Sequence, residues 1–158
     1  TDLFSDTFKA TYTGKNITPK VTVKYKNITL REGIDYKVVY KNNKKIGTAK
    51  IYVIGLNNFK DSNTYKMKII PAKTKITKKK ATKKKITLKL KKVKGATGYQ
   101  VMYSLKKNFK GKKKINTKKR NVVIKRKKSG KYYVKVRAYK KIGKKYVYGN
   151  YTKRITIK

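Results

Sequence analysis

Tyr132-Tyr133-Val134-Lys135-Val136-Arg137-Ala138-Tyr139 is the stretch on which the fold turns. Tyr132, Val134, Val136 and Ala138 fall on one side of it, and Tyr133, Lys135 and Arg137 on the other. A period of two is the mark of a β-strand with one buried face. The same alternation recurs outward from this run. It is present at Ile86, Leu88 and Leu90, at Tyr99, Val101 and Tyr103, at Val122 and Ile124, and at Ile155 and Ile157. In the first half it is carried by Val21, Val23 and Tyr25, by Tyr36, Val38 and Tyr40, by Ala49, Ile51 and Val53, and by Tyr65, Met67 and Ile69. No segment keeps a helical period over three turns. Asn42-Asn43 and the run Lys94-Gly95-Ala96-Thr97-Gly98 supply turn chemistry between strands. Short strands at intervals of roughly 8–12 residues, separated by turns, predict β-sandwiches. The expected fold is all-β, with two tandem β-sandwich domains in 158 residues.

Charge divides the chain. Through residue 72 there are fourteen basic residues against five acids, a net +9; beyond it there are thirty-five basic residues and no acid. The change follows Ile70-Pro71-Ala72, and Pro ends a ladder because it has no N–H. The expected organisation is a first domain over 1–72, a Lys/Thr-rich linker and first strand region over 73–85, and a second domain over 86–158.

Composition also excludes. With no Cys and no His there is no disulfide framework, no Cys/His metal site and no His-based acid, base or triad. Carboxylate chemistry has only Asp2, Asp6, Glu32, Asp35 and Asp61 to draw on. No apolar run is long enough to span a bilayer. Neither catalysis, cofactor nor membrane insertion is expected.

Two resemblances sharpen the domains. Tyr132, Val134, Val136 and Ala138 match the Tyr-x-Val-x-Val-x-Ala pattern of the sixth strand of fibronectin type III domains, and the run Val93 to Tyr103 resembles the third strand. The likeness covers about residues 74–158. It implies that Tyr132 makes the corner hydrogen bond to the preceding loop. It also implies that Leu88 and Leu90 close a core where the family usually places a Trp. The first half resembles bacterial immunoglobulin-like repeats, at Tyr12-Thr13-Gly14-Lys15-Asn16-Ile17-Thr18-Pro19, Glu32-Gly33-Ile34-Asp35-Tyr36, Gly47-Thr48-Ala49-Lys50-Ile51 and Asn57-Asn58-Phe59. Such pairs belong to secreted and surface proteins of Firmicutes. A short two-domain chain is also similar to gut-bacterial proteins that resemble the vertebrate hormone irisin.

Basic clusters are the strongest functional signal. Lys112, Lys113 and Lys114, then Lys118, Lys119 and Arg120, then Lys125, Arg126, Lys127 and Lys128 are the candidate polyanion-binding residues. Lysines there can neutralise phosphates or sulfates and release counterions. Their dominance over Arg argues against bidentate reading of bases. Tyr139, Tyr146, Tyr148 and Tyr151 are the second signal, either as core aromatics replacing Trp or as a stacking surface. Three weaker constellations are Ser104 with Lys106 as a Ser-Lys pair, Asp61 with Asn57, Asn58 and Asn63 as Ca²⁺ oxygens, and Glu32 or Asp35 as the buried acid of an isopeptide cross-link.

The expected function is a non-catalytic, secreted or cell-surface binding module, monomeric, that holds anionic polymers through its second domain. Wall polymers, sulfated glycans and nonspecific nucleic acid are the candidate polymers. The alternatives are a hormone-like ligand of a host cell-surface receptor and a structural spacer of a larger surface protein.

Overall fold

In the computed structural model, which describes residues 7–158, every regular element is a β-strand. Asp2 and Asp6 lie outside the described residues. The chain divides into two compact units, the first ending at Ile69 and the second spanning Ile70–Lys158.

The first unit is built on a four-stranded sheet ordered β1-β6-β5-β4. Its strands are β1 (Thr7–Thr11), β4 (Tyr36–Lys41), β5 (Gly47–Gly55) and β6 (Ser62–Ile70), and β4, β5 and β6 run antiparallel. The turn into β5 places Asn42 at φ 57°, a backbone Asn tolerates. Ala49, Ile51, Val53, Met67 and Ile69 are buried on one face, as the alternation predicts. What covers that face departs from expectation. Residues 12–23 carry no strand, and Val21 is buried within irregular chain. Strand pairing resumes after β1 only with the two-residue hairpin of β2 (Lys24–Tyr25) and β3 (Ile28–Thr29), where Tyr25 is exposed. Pro19 has no N–H to offer a ladder. The segment is held instead by a few backbone bonds, among them the Ile17 N–H to the Asn43 carbonyl at 3.0 Å, and by side chains. The Tyr36 hydroxyl donates to the Val21 carbonyl at 2.9 Å, the Tyr40 hydroxyl donates to the Pro19 carbonyl, and Asn43 Nδ2 donates to the Ile17 carbonyl at 3.1 Å.

The second unit is a sandwich of two sheets. One has the order β11-β8-β7, from β7 (Ile76–Ala81), β8 (Lys85–Leu90) and β11 (Asn121–Lys125). The other has the order β10-β9-β12-β13, with β14 also on β12. Its strands are β9 (Gly98–Ser104), β10 (Lys113–Thr117), β12 (Tyr132–Ile142), β13 (Lys145–Tyr148) and β14 (Ile155–Ile157). Ile86, Leu88, Leu90, Val122 and Ile124 of the first sheet form one core cluster with Tyr99, Val101, Tyr132, Val134, Val136, Ala138 and Ile157 of the second. This arrangement is compatible with a fibronectin type III-like sandwich. The region 73–85 holds β7, paired with β8 from Ile76↔Leu90 to Ala81↔Ile86. Thr74 is buried there, its hydroxyl donating to the Lys91 carbonyl at 2.8 Å. The lysines of β7 sit at the sheet edge, where Lys discourages further pairing.

Candidate anion-binding groove

Among the described residues β10 pairs only with β9, and β11 only with β8, so each sheet ends in an open edge. Lys118, Lys119 and Arg120 carry the chain from one edge to the other. Between those edges lies a groove of about 560 Å³. Its inner lining is Tyr103, Ile115 and Tyr132, and its exposed lining is Leu105, Val123 and six lysines: Lys106, Lys110, Lys113, Lys125, Lys127 and Lys128. Alternation explains the pairing of charge with apolar surface. Lys113 and Ile115 share one side of β10, and Val123 and Lys125 share one side of β11.

The ten predicted basic residues therefore separate. Lys113, Lys125, Lys127 and Lys128 line the groove. Lys114 falls on the opposite side of β10 by alternation, and Lys112 sits in the turn before it, its backbone N–H donating to the Phe109 carbonyl at 3.1 Å. Lys118, Lys119 and Arg120 are exposed in the crossing turn. Arg126 holds the turn together. Its guanidinium donates to the Thr82 carbonyl at 3.1 Å and the Gly130 carbonyl at 2.9 Å, and lies 5.3 Å from the Tyr132 ring centre. Lys106 and Lys110 were not legible as members, because only the topology brings the loop after β9 beside the turn after β11.

Tyr132 links the core to this site. Its hydroxyl donates to the Lys128 carbonyl at 3.2 Å, and its ring stacks on Tyr103 with centroids 6.3 Å apart. Val134, Val136 and Ala138 are buried behind it. Burial, followed by proximity to Tyr132, pushes the Tyr103 phenol above its ordinary pKa.

The other side of the five-stranded sheet is not the plain solvated face that its polar residues suggest. Gln100 is buried there and acts as a hub. Its Oε1 accepts from Arg137 Nε at 2.9 Å and from the Tyr151 hydroxyl at 2.6 Å, and its Nε2 donates to Asn116 Oδ1 at 2.9 Å. The Arg137 guanidinium lies 3.7 Å from the Tyr148 ring centre and 4.3 Å from that of Tyr151. Lys135 Nζ lies 4.5 Å from the Phe109 ring centre and 4.7 Å from that of Tyr151. Tyr139 is buried and packs edge-on against Tyr146 and Tyr148. Burial raises the Tyr139 phenol, with Tyr146 and Tyr148 adding to the effect; burial also raises Tyr151, against the pull of Arg137. Most of this aromatic cluster thus serves the sheet itself. Of these four tyrosines only Tyr146 is exposed, opposite Lys141 near the β12–β13 turn.

The weaker constellations find other employment. The Ser104 hydroxyl donates to the Lys110 carbonyl at 2.8 Å and accepts the Lys106 N–H at 3.1 Å, so it braces the loop. Asp35 is paired with Arg31 at 3.5 Å, and Glu32 is exposed rather than buried. Asn57 Nδ2 donates to the Ile34 carbonyl at 2.8 Å. Among the described residues no three acids, His or Cys gather to hold a metal ion, and no helix is long and apolar enough to cross a membrane. In the first unit, Phe8, Pro19, Val21, Ile51 and Tyr65 help line an apolar cleft of about 120 Å³.

Compared with known proteins, the chain matches no family model and no curated protein.

Proposed function

We propose that this chain is a non-catalytic binding module of a secreted or surface protein, and that its second, fibronectin-like unit holds anionic polymers. One observation carries the reading. Six lysines from two separate stretches of sequence, 106–113 and 125–128, converge on one groove, in a unit with no Asp or Glu side chain to neutralise them. Lysines act there as mobile point charges, which suits phosphate or sulfate groups on a polymer of variable geometry. The experiment is the affinity of the full chain for heparin and for a poly(phosphodiester) wall polymer at several NaCl concentrations. Affinity should fall steeply with salt, and each contacting lysine that is neutralised should lower the log–log slope by about one. A salt-independent affinity would overturn the reading.

A second reading has its own observation. Tyr146, 38% exposed, stands opposite Lys141 near the β12–β13 turn, where its ring stacks on that of Tyr148. An exposed tyrosine suits a protein-interface anchor. This would serve a ligand of a host receptor, the role implied by the irisin-like resemblance. Such binding would be weakly salt-dependent and lost in Tyr146→Ala.

A further inference from the structure

The groove carries more apolar surface than a polyanion can use. Val123 is 49% exposed and Leu105 is 43% exposed, and both line it. Val123 stands between the buried Val122 and Ile124, so its strand turns one aliphatic side chain outward among lysines. Behind these lie Ile115 and the stacked pair Tyr103 and Tyr132. A sulfated or phosphorylated polymer would satisfy the lysines and leave Val123 and Leu105 as wet as before. Lysine stems add more apolar wall while their ammonium groups stay at the rim. The volume is within the range that small-molecule sites occupy, roughly 300–1,000 Å³.

We infer that the groove between β10 and β11 binds an anionic amphiphile: the acyl chain of an anionic lipid lies along Val123, Leu105 and Ile115, and its phosphate or carboxylate head meets the rim lysines. Charge complementarity chooses the head, because no acid lies in this unit. Shape and polarity choose the tail, because the apolar lining is walled by two strand edges. The inference rests on the polyanion reading of the same groove and narrows it. It makes the acyl chain of a lipid, or of a lipid-linked polymer, the specific determinant, and the lysines the attraction that any polyanion shares.

The test uses the full chain with inorganic phosphate and with butyl, octyl and dodecyl phosphate. Each alkyl phosphate is kept below its micelle-forming concentration, and heparin is the comparator. Affinity should rise with chain length by up to about fourfold per methylene that enters the groove. The octyl compound should therefore exceed the butyl compound by about tenfold or more, with one molecule bound per chain. Val123→Gln should flatten this dependence and keep heparin affinity, since the side chain lies on the solvent side of its strand. Leu105→Gln, in the loop after β9, repeats the test should Val123→Gln disturb the strand. Lys118→Gln with Lys119→Gln should weaken heparin and leave octyl phosphate unchanged, because those residues lie outside the groove.

Equal affinity for butyl and octyl phosphate, with heparin still bound, would overturn the amphiphile inference and leave the polyanion reading standing. Loss of heparin binding as well would overturn both. A chain-length dependence untouched by both glutamine variants, or many molecules bound per chain, would place the tail elsewhere and overturn the site.

Discussion

The two units solve the same problem, an antiparallel sheet with one oily face, in different ways. The second lays a second sheet on the first, so that Leu88 and Ile124 from one side meet Val134 and Val136 from the other. The first covers its sheet with chain that makes almost no ladder, and ties that chain down with Tyr36, Tyr40 and Asn43. Charge separates them less simply than the totals of +9 and +35 suggest. Lys41, Lys50 and Lys66 stand in register across β4, β5 and β6 in the first unit. In the second, Lys85 stands opposite Lys125 and Lys78 opposite Lys89. Lysine rows on a sheet are therefore common to both. What distinguishes the second unit is a roomy gap between two open edges with apolar residues inside it. The proposed site rests on that geometry rather than on the surplus charge alone.

The largest test of this contrast removes β7. A fragment covering 70–158 should melt cooperatively, whereas one covering 83–158 should not, because it lacks the β7 ladder to β8 and the Thr74 bond to Lys91. Circular dichroism melts of the two fragments decide it. Equal melts would mean that 73–82 is a linker after all.

That boundary shows where sequence reading works and where it stops. Central strands are legible because their buried faces must be apolar at every second residue, as at Ile86-Leu88-Leu90 and Tyr132-Val134-Val136-Ala138. Edge strands that bury little carry a weaker signal, although β4 and β11, which keep their alternation, remain legible. β7 offers only Ile76 and Ala81, with lysines on both faces, and β10 offers only Ile115. The groove lies between β10, which shows just Ile115, and β11, and only the topology brings those two edges together, so the groove was hidden while its lysines were obvious. Residues 12–23 misled in the opposite sense. Val21, Val23 and Tyr25 alternate like a strand, yet Pro19 and the tyrosine hydroxyls favour an irregular cover. Gln100 was also invisible. Its position reads as solvent-facing, and only the arrival of Arg137, Tyr148 and Tyr151 from distant sequence buries it.

Single hydrogen bonds should then rank the two ways of closing a sheet. Tyr36→Phe leaves the Val21 carbonyl without this donor under the first unit's cover and should cost about 1–3 kcal/mol. Tyr132→Phe frees the Lys128 carbonyl, which belongs to an exposed residue and can turn to water, so its cost should be about 1 kcal/mol. Urea titrations of the two variants provide the comparison. The reverse order would mean that the cover of the first unit is held by burial and owes little to its hydroxyl ties.

Salt should act unequally as well. With thirty-five cationic side chains and no carboxylate side chain, the second unit repels itself, and NaCl screens that repulsion over ~8 Å at physiological strength. The melting point of the 70–158 fragment should rise with NaCl. A 7–69 fragment, with Glu32, Asp35 and Asp61 among its charges, should respond less. Equal responses would show that local lysine rows, present in both, outweigh total charge.

The smallest effect isolates one such row. Lys85 and Lys125 are directly opposite on β8 and β11, and like charges in that position are mutually destabilising. Lys85→Glu converts the repulsion into an attraction and should stabilise the second unit by about 0.5 kcal/mol, less in high salt. Lys50→Glu has a lysine on either side, at Lys41 and Lys66, so its gain in the first unit should be somewhat larger. The two differ in function. Lys125 lines the groove, and a glutamate beside it competes with any incoming anion. Lys85→Glu should therefore weaken heparin binding while raising the melting point, and Lys50→Glu should raise the melting point with little loss of binding. If both variants weaken binding equally, anions are held by the charge of the whole chain, and the groove loses its claim to be the site.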